Sequence, residues 1–264
     1  MQRAAEFSFQ SGAFAQLSLP DISTSASHPF TIMSAPQEQN IHFAIRSNGV
    51  WTSQLFQRVV EAEKAGLPGR AALRQGALLR GPYGAPTQRW FKAHHVVLVG
   101  GGVGITPMLA TARDFILRHD ASWRGHQHSP FKTERMHLCW VTRTQKELQW
   151  LIGQMPDLQR VAGVFSLTIY LTRVSSTAKL PLRKWFTPLL GLNPKIASVR
   201  FGRPAIKSHI VEQLKPRMQA RQTANVFVCG PSQLVRGVKH AVTELRAEQI
   251  LPGQVHAFDE VFEW

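Results

Sequence analysis

A glycine-rich stretch at residues 95–118 constrains this chain more than any other part of its sequence. Val96 to Val99 is a short apolar run rich in β-branched residues, which suits one buried strand. Four glycines follow within residues 100–104. Thr106 is a candidate helix cap, and Pro107 suits the first helical position, where a missing N–H group costs nothing. This order predicts a strand, a tight turn and a helix.

The junction between this strand and this helix suits a pyrophosphate, because free backbone N–H groups and the positive end of the helix dipole meet there. The candidate binding residues are Gly101, Gly102, Gly104, Thr106 and Pro107. Their spacing departs from the G-x-G-x-x-G fingerprint, since Ile105 or Pro107 stands where a third glycine is expected. Two interpretations stay open from this stretch alone: a dinucleotide site, and an ordinary glycine turn of an α/β protein.

Hydrophobic patterns divide the chain into a β-rich part, residues 1–93, and an α/β part, residues 94–264. In the first part they predict strands near Phe14–Leu19, Phe30–Met33 and Ile41–Ile45, a helix capped by Thr52 with Phe56 in its apolar stripe, and a turn at Gly81–Gly84. In the second part strands alternate with helices, which predicts a parallel sheet. Those strands are Val96–Val99, Met136–Thr142, Phe165–Leu171 and Val226–Cys229, and residues 174–198 are predicted to form a loop or insertion.

The formal charge of +15 is concentrated in one stretch, since no carboxylate occurs between Asp157 and Glu212. Its basic residues are Arg160, Arg173, Lys179, Arg183, Lys184, Lys195, Arg200, Arg203 and Lys207. Such a field attracts anionic lipid heads, polyanions or phosphorylated cofactors, and a solvated basic surface is the alternative. No nucleic-acid-binding motif is recognised, so nucleic acid is not an expected partner. No apolar run is long enough to span a bilayer, and both cysteines lie in apolar runs, which is typical of a reducing compartment.

Six motifs in order resemble the FAD- and nicotinamide-binding module of the NADPH oxidase and ferric reductase family. They are HPFTIMSAP from His28, RSNGVWT from Arg46, GPYG from Gly81, GGGVGITP from Gly100, FGRP from Phe201 and VFVCGP from Val226. The resemblance implies a fold of the ferredoxin–NADP reductase type, in which an antiparallel flavin barrel precedes a Rossmann-like nucleotide-binding domain. The barrel is expected to be incomplete, because too little chain precedes Gly12 to supply its opening strands, and Ala13 and Phe14 replace the family's Gln-Tyr pair.

For the flavin, the resemblance places Phe30 against the isoalloxazine ring, the Thr31 hydroxyl at its N5 edge, Pro29 beside them and His28 near the phosphates. Its second flavin segment matches Arg46, Gly49, Trp51 and Thr52, where Trp51 has a simple packing role as an alternative. Gly81 and Tyr83 match the turn at the junction of the two domains, although Arg80 stands where the family carries an acid.

For the nicotinamide cofactor, the resemblance places the pyrophosphate on the glycine turn and the ring beside Cys229, Gly230 and Pro231. Arg143 stands where an acid would favour NAD, so NADPH is the expected donor. Arg203 resembles a second cofactor contact, and an ordinary surface charge is the alternative for both arginines. The terminal Trp264 matches an aromatic residue that covers the flavin, unless it is a frayed chain end.

The activity implied by the resemblance is hydride transfer from NADPH to FAD, followed by single-electron transfer to haem in a membrane domain and on to oxygen or ferric ion. Cys229, Thr31 and Trp264 are then the residues nearest the chemistry, and no metal ligand set is recognised. The chain is expected to work at the cytosolic face of a membrane, as the end of a longer reductase or a shortened version of one. Two rivals remain: a soluble flavin reductase with a protein acceptor, and a non-catalytic nucleotide-binding fragment.

Overall fold

The computed structural model describes residues 7–67, 73, 76–119, 131–144, 147, 161–174 and 196–260. These residues form two sheets. Strands β1 (Phe14–Ser18), β2 (Ser27–Thr31) and β3 (Leu78–Tyr83) form an antiparallel sheet in the order β2-β1-β3. Helix α1 (Val50–Lys64) lies between β2 and β3 in the chain, and a 3-10 helix (Pro86–Lys92) leads from β3 to the second sheet.

The second sheet has six parallel strands, as the alternation of strands and helices predicts. The strands are β4 (His95–Gly101), β5 (Arg135–Thr142), β6 (Phe165–Leu171), β7 (Ala197–Phe201), β8 (Thr223–Cys229) and β9 (Gln254–Glu260). The helices are α2 (Ile105–His119), α3 (Ile206–Leu214) and α4 (Ser232–Ala247). The spatial order of the strands is β7-β6-β5-β4-β8-β9. Strands β5 to β7 are added on one side of β4 and strands β8 and β9 on the other, so a topological switch point lies between β4 and β8. In open α/β sheets, ligands bind at such a switch point, across the carboxyl ends of the strands.

Two hydrophobic cores cover the two faces of this sheet, and β4 contributes to both. Val96 and Leu98 pack with the buried face of α2, whereas Val97 and Val99 pack with α3 and α4. Every residue of β4 is buried. A strand buried on both faces needs a continuous apolar run, which is the pattern of Val96–Val99.

Two predictions for the first half are wrong in their details. Residues 41–45 form no strand; instead Ile41 packs into the small core around Phe9 and Ile32, and the Met33 N–H donates to the His42 carbonyl at 2.9 Å. The stretch Gly81–Tyr83 is the end of β3 and not a turn, because Tyr83 pairs with Phe14 across a shift in register. Pairing with β1 thus overrides the turn preference of glycine and proline.

Both predicted helix caps lie one to two residues inside their helices. Helix α1 begins at Val50 with Gly49 as its N-cap, and the Thr52 hydroxyl accepts from the N–H groups of Asn48 at 2.9 Å and Gly49 at 3.1 Å. Helix α2 begins at Ile105, directly after a 3-10 turn at Gly102–Gly104. Thr106 is therefore the second helical residue and donates to the Val103 carbonyl at 3.1 Å. Pro107 is the third, where the missing N–H still leaves no hydrogen bond unmade.

Three elements of the second half escape the sequence patterns: β7, α3 and β9. The predicted loop at residues 174–198 overlaps the start of β7, and its residues 175–195 lie outside the described part of the chain. The predicted α1 stripe also fails at Phe56, whose surface is 60% exposed. Within the described residues, no helix combines the length and the apolar character needed to cross a bilayer.

Candidate functional site

The glycine turn after β4 and the Cys-Gly-Pro turn after β8 contact each other through backbone atoms. A Cβ atom on Gly104 would lie 2.5 Å from the Cys229 carbonyl oxygen, and one on Gly230 would lie 2.8 Å from the Gly101 Cα. Gly101 itself faces Pro231, the N-cap residue of α4. The two motifs therefore form one surface at the carboxyl edge of the sheet, and three of their glycines are needed because no side chain fits between them.

Gly102 differs from these glycines, since its Cβ position is open. Its φ of +55° is a left-handed conformation that favours glycine, and no atom lies within 4 Å of the space a Cβ would take. The next residue, Val103, is 48% exposed. Of the three glycines predicted to hold a pyrophosphate, Gly102 is thus the accessible one, whereas Gly101 and Gly104 shape the turn by packing.

Cys229 and Glu260 are neighbours at the ends of β8 and β9, where they pair in register. Burial raises the pKa of the Cys229 thiol to about 12, so the sulfur stays protonated and is no nucleophile at neutral pH. Burial also raises the pKa of the Glu260 carboxyl to about 7, against hydrogen bonds from Thr87 that lower it. Sequence reasoning missed Glu260, because an acid in a partly polar strand gives no sign that its side chain is buried.

Thr87 connects this carboxyl edge to the first half of the molecule. Its hydroxyl donates to Glu260 Oε1 at 2.5 Å and its N–H donates to the same atom at 3.2 Å. A Cβ atom on Gly12 would lie 2.0 Å from the Thr87 hydroxyl oxygen, so the chain before β1 approaches the same point. Glu260 Oε2 is buried and has no hydrogen-bond partner among the described residues. The chain before β1 therefore approaches Thr87, which hydrogen-bonds to the buried Glu260 carboxylate at the end of β9.

Helix α2 fixes the two halves together through consecutive charged residues. Arg113 forms an ion pair with Glu38, and Asp114 accepts hydrogen bonds from Ser11 at 2.8 Å and from Gln37 at 2.6 Å. The Asp114 side chain is almost wholly buried. The helix that begins at the glycine turn thus also holds the first half in place.

Three aromatic rings of the first half lie together on one face of β2: those of His28 and Phe30 in the strand and that of Trp51 in α1. The ring centroids of Phe30 and Trp51 are 5.9 Å apart with an interplanar angle of 26°, and those of His28 and Trp51 are 4.7 Å apart. Trp51 packs with Leu17 and Leu19 and is only 8% exposed. Its indole nitrogen is buried without a hydrogen-bond partner in the described structure.

A second aromatic pair lies on the opposite face of the same sheet. Phe14 stands opposite both Thr31 and Tyr83 in register, and the rings of Phe14 and Tyr83 stack at 5.1 Å. Phe30 and Thr31 are adjacent, so they point to opposite faces of β2. Because β2 ends at Thr31, a planar ring at that strand end can contact both side chains. Tyr83 is 38% exposed and offers a further ring at this face.

The N-terminus of α1 is exposed beside Arg46 and Gly49. Its first turn carries no acidic residue, so nothing there opposes an anion. Backbone N–H groups and a guanidinium suit a phosphate of FAD. Pro29, in β2, stands opposite Gln16, and the Gln16 amide oxygen is another buried acceptor without a described partner. Aromatic rings, unpaired polar atoms and an open helix start fit a flavin nucleotide.

Arg143 and Arg203 lie exposed beyond the ends of β5 and β7, on the same carboxyl edge as the glycine turn. The Arg143 N–H donates to the Glu147 carboxylate at 3.1 Å. A row of cations at this edge and the open Gly102 fit a phosphorylated dinucleotide. Trp264 lies outside the described residues.

The basic stretch is partly neutralised by acids from elsewhere in the chain. Arg200 forms an ion pair with Glu212, which raises the pKa of the guanidinium further and lowers that of the carboxyl. Lys207 pairs with Glu248 at 2.7 Å. Lys179, Arg183, Lys184, Lys195 and Arg160 lie outside the described residues.

Comparison with protein families identifies both halves. The chain matches the ferric reductase NAD binding domain over residues 93–243 and an FAD-binding domain over residues 1–87.

Among curated proteins, the chain is similar to dual oxidase 2 of Rattus norvegicus, with 30% identity over 91% of this chain and 16% of the relative. It is also similar to respiratory burst oxidase homolog protein B of Solanum tuberosum, with 31% identity over 91% of this chain and 31% of the relative. Among solved structures, a ferredoxin NADP⁺ reductase from Neisseria gonorrhoeae with bound FAD and NADP superposes with a TM-score of 0.61 at 17% identity, over 98% of this chain and 89% of that one. This likeness confirms the predicted fold type.

Proposed function

The chain belongs to the ferric reductase family of FAD- and NADPH-dependent oxidoreductases, and we propose that it is the unit that draws electrons from NADPH for a membrane reductase or oxidase. Its cofactors are FAD and NADPH, and the chemistry of the family is electron transfer from NADPH by way of FAD. The chain spans 16% and 31% of the length of the two oxidase relatives. The final acceptor of the electrons is therefore proposed.

One observation carries this proposal: Thr87, in the 3-10 helix that links the flavin-binding sheet to the nucleotide-binding sheet, hydrogen-bonds to Glu260 at the carboxyl end of β9. Glu260 pairs with Cys229 in register, and Cys229 packs on the glycine turn through Gly104. The same junction is reached from the other side by the chain at Gly12. A nicotinamide at the carboxyl edge and a flavin at the end of β2 would then approach each other across this junction. The proposed boundary between the flavin domain and the nucleotide domain follows Ala93, within the short link between the two sheets.

The chemistry that FAD supplies is the conversion of a two-electron donor into a source of single electrons. The chain's own residues have simpler tasks in the proposal. Phe30 supports the flavin ring, and the hydroxyl of Thr31, a residue that is 7% exposed, offers a hydrogen bond at the ring edge. Cys229 provides a small, neutral wall beside the nicotinamide, since its pKa of about 12 keeps it uncharged. Glu260 holds a proton near neutral pH on Oε2, because Oε1 is occupied by Thr87.

At the nucleotide end, Gly102 provides backbone groups for the pyrophosphate, and Arg143 and Arg203 attract the phosphorylated ribose. The preference for NADPH over NADH rests on Arg143, where an acid would favour NAD. The electrons would pass from FAD to haem in a membrane domain and finally to oxygen or ferric ion. The chain would work at the cytosolic face of that membrane. An anionic membrane surface is a proposed partner of the basic stretch from Arg160 to Lys207. Trp264 is proposed to cover the flavin until NADPH arrives.

A direct test loads the full chain with FAD and follows the flavin absorbance after mixing with NADPH or NADH in a stopped-flow instrument. We expect reduction with a clear preference for NADPH, and loss of that preference in Arg143→Ala. Thr31→Val should slow reduction at least tenfold while changing FAD affinity little, because the hydroxyl acts at the ring edge. A chain that stays colourless after incubation with FAD would favour the non-catalytic fragment instead.

A further inference from the structure

A cavity of about 320 Å³ lies on the side of the parallel sheet that carries Glu260. The described residues that line it are Arg89 and Lys92 of the 3-10 helix, Thr223 and Asn225 of β8, and His256 and Phe258 of β9. Thr223 and Asn225 are the first and third residues of β8. His256 precedes Glu260 by four residues on the same side of β9, which is about 13 Å along a strand. The cavity is therefore separate from the carboxyl edge that would hold the nicotinamide.

Two cations line this cavity from the 3-10 helix. Arg89 and Lys92 are three residues apart, and a 3-10 helix has three residues per turn, so both side chains leave the same side of the helix. Both residues are exposed, and neither forms an ion pair with a described residue. The described lining contains no carboxylate. Asp259 lies on the opposite face of β9 and pairs with Lys239 at 3.1 Å, so it does not neutralise the two cations.

The opposite wall of the cavity offers neutral hydrogen-bonding groups and one apolar ring. Asn225 is only 7% exposed, and its side-chain amide makes no hydrogen bond to a described residue. A buried amide normally has a partner, so this one has donors to offer to a ligand. His256 stands opposite Asn225 in register and brings an imidazole to the same wall. The Phe258 ring, stacked on Phe227 with centroids 5.2 Å apart, adds an apolar surface.

We propose that this cavity is a further anion-binding site, which takes a phosphate monoester with a short carbon skeleton and is distinct from the FAD and NADPH sites. Two cations balance the two charges of a phosphate monoester, and a guanidinium can donate two parallel hydrogen bonds to it. The Asn225 amide donates to a further phosphate oxygen, and Phe258 contacts the carbon skeleton. The phosphate comes from a soluble metabolite or from a lipid headgroup, which share this chemistry.

The 3-10 helix gives a bound phosphate a structural consequence. The same seven residues hold Thr87, which donates to Glu260, and the two cations of the cavity. A phosphate bound between Arg89 and Asn225 therefore holds the link between the two sheets against β8. None of the lining residues belongs to a cofactor motif, so the inference goes beyond the proposed function and does not depend on it.

The test is calorimetric titration of the FAD-loaded full chain, in the presence of excess NADP⁺, with glycerol 3-phosphate and with glycerate as a carboxylate of similar size. We expect saturable binding of glycerol 3-phosphate and much weaker binding of glycerate, which carries less charge. Arg89→Gln should weaken binding of glycerol 3-phosphate about tenfold or more, as expected for loss of a charge-assisted hydrogen bond. Arg89→Lys should recover part of the loss, because it keeps the charge without the planar fork. Asn225→Asp, which places a negative charge in the cavity, should abolish binding.

Vesicles distinguish the two sources of the phosphate. Sedimentation with vesicles of phosphatidylcholine, with and without phosphatidic acid, presents the same phosphate monoester on a lipid. Binding to phosphatidic acid that Arg89→Gln weakens, without binding of glycerol 3-phosphate, identifies a lipid headgroup as the ligand. Binding of glycerol 3-phosphate without a preference for phosphatidic acid identifies a soluble metabolite.

Arg246→Gln is the matched control, since Arg246 is an exposed arginine in the last turn of α4 and the charge change is the same. Equal affinities of Arg89→Gln and Arg246→Gln for the phosphate probes would overturn the inference. Weakening by Arg143→Ala but not by Arg89→Gln would also overturn it, because the probe would then lie at the cofactor edge. Wild-type chain that binds neither glycerol 3-phosphate up to about 10 mM nor phosphatidic acid has no such site. Each of these results leaves the proposed electron transfer untouched, since reduction of FAD by NADPH is measured separately.

Discussion

The two sheets of this molecule differ in how deeply their strands are buried. In the parallel sheet every residue of β4 is buried, and separate cores cover its two faces. In the antiparallel sheet five of the six residues of β3 are exposed, and β2 is only partly buried. The nucleotide half therefore carries its own core, whereas the flavin half leaves rings such as Tyr83 at the surface. The flavin half therefore depends on contacts with the nucleotide half, through helix α2 and Glu260.

The largest expected effect breaks the nucleotide half at its tightest point. Gly104→Ala places a methyl group 2.5 Å from the Cys229 carbonyl oxygen, and backbone atoms cannot move away as a flexible side chain can. We expect the free energy of unfolding to fall by about 3 kcal/mol. Chemical denaturation followed by far-UV circular dichroism measures it.

Gly237→Ala is the control for this change, because Gly237 lies within α4 and no atom lies within 4 Å of its Cβ position. That substitution should stabilise the chain by about 0.5 to 1 kcal/mol through helix propensity. If Gly104→Ala were no more destabilising than Gly237→Ala, the contact between the two turns would not be close in solution.

The second prediction concerns how the stability of the junction at Thr87 and Glu260 depends on pH. The pKa of Glu260 rises on folding from 4.5 to about 7, so its stabilising contribution is present below pH 4.5 and is lost as the pH rises through 7. The difference corresponds to about 3 kcal/mol. Glu260→Gln, which keeps the shape and stays neutral, should remove this loss and make the chain more stable than wild type at pH 8.

His209 titrates with the opposite sign inside the nucleotide half. It lies beside His137, with the two Nε2 atoms 3.0 Å apart, and burial lowers its pKa from 6.5 to about 4. Its contribution is present above pH 6.5 and is lost as the pH falls toward 4. The effect of Glu260 is therefore measured as the difference between wild type and Glu260→Gln at each pH. Parallel stability curves for the two chains from pH 5 to pH 8 would contradict the buried carboxyl.

The third prediction loosens the first half from the second. Asp114→Ala removes the acceptor for Ser11, Gln37 and Arg118, and it should cost about 2 kcal/mol because buried donors lose a charged partner. Hydrogen exchange should rise in β1 and β2 and stay unchanged in β4 and β5. Uniform exchange over both sheets would show that the two halves unfold as one unit.

The smallest effect is expected on the exposed face of α1. Phe56→Ser removes a ring that is 60% exposed, so the unfolding free energy should change by less than about 0.5 kcal/mol. Trp51→Ser, five residues earlier in the same helix, removes a buried ring that contacts His28 and Phe30 and should cost several times more. Thermal unfolding of the two variants compares them. Equal changes in the unfolding free energy would mean that the rings of His28, Phe30 and Trp51 do not pack together in solution.

Much of the fold follows from local patterns. The continuous apolar run at Val96–Val99 and the strand at Phe165–Leu171 lie where the sequence predicts them, because buried parallel strands have little choice of residue. The strand predicted at Ile41–Ile45 is wrong, because Ile41 is buried by packing into the small core around Phe9 and Ile32 while residues 41–45 form no strand. β9 escaped prediction because its pattern mixes polar and apolar residues at the sheet edge.

The amino-acid sequence alone specifies the order of the motifs, and with it the family, the two cofactors and the glycine turn. Those features depend on residues close together in the chain. Three contacts arise only in the folded chain: Gly104 packs on Cys229, Glu260 is buried against Thr87, and Arg173 lies beside Arg143. Each of these contacts joins residues that are far apart in the chain, so its chemistry comes from burial and strand order, which no single stretch of sequence contains.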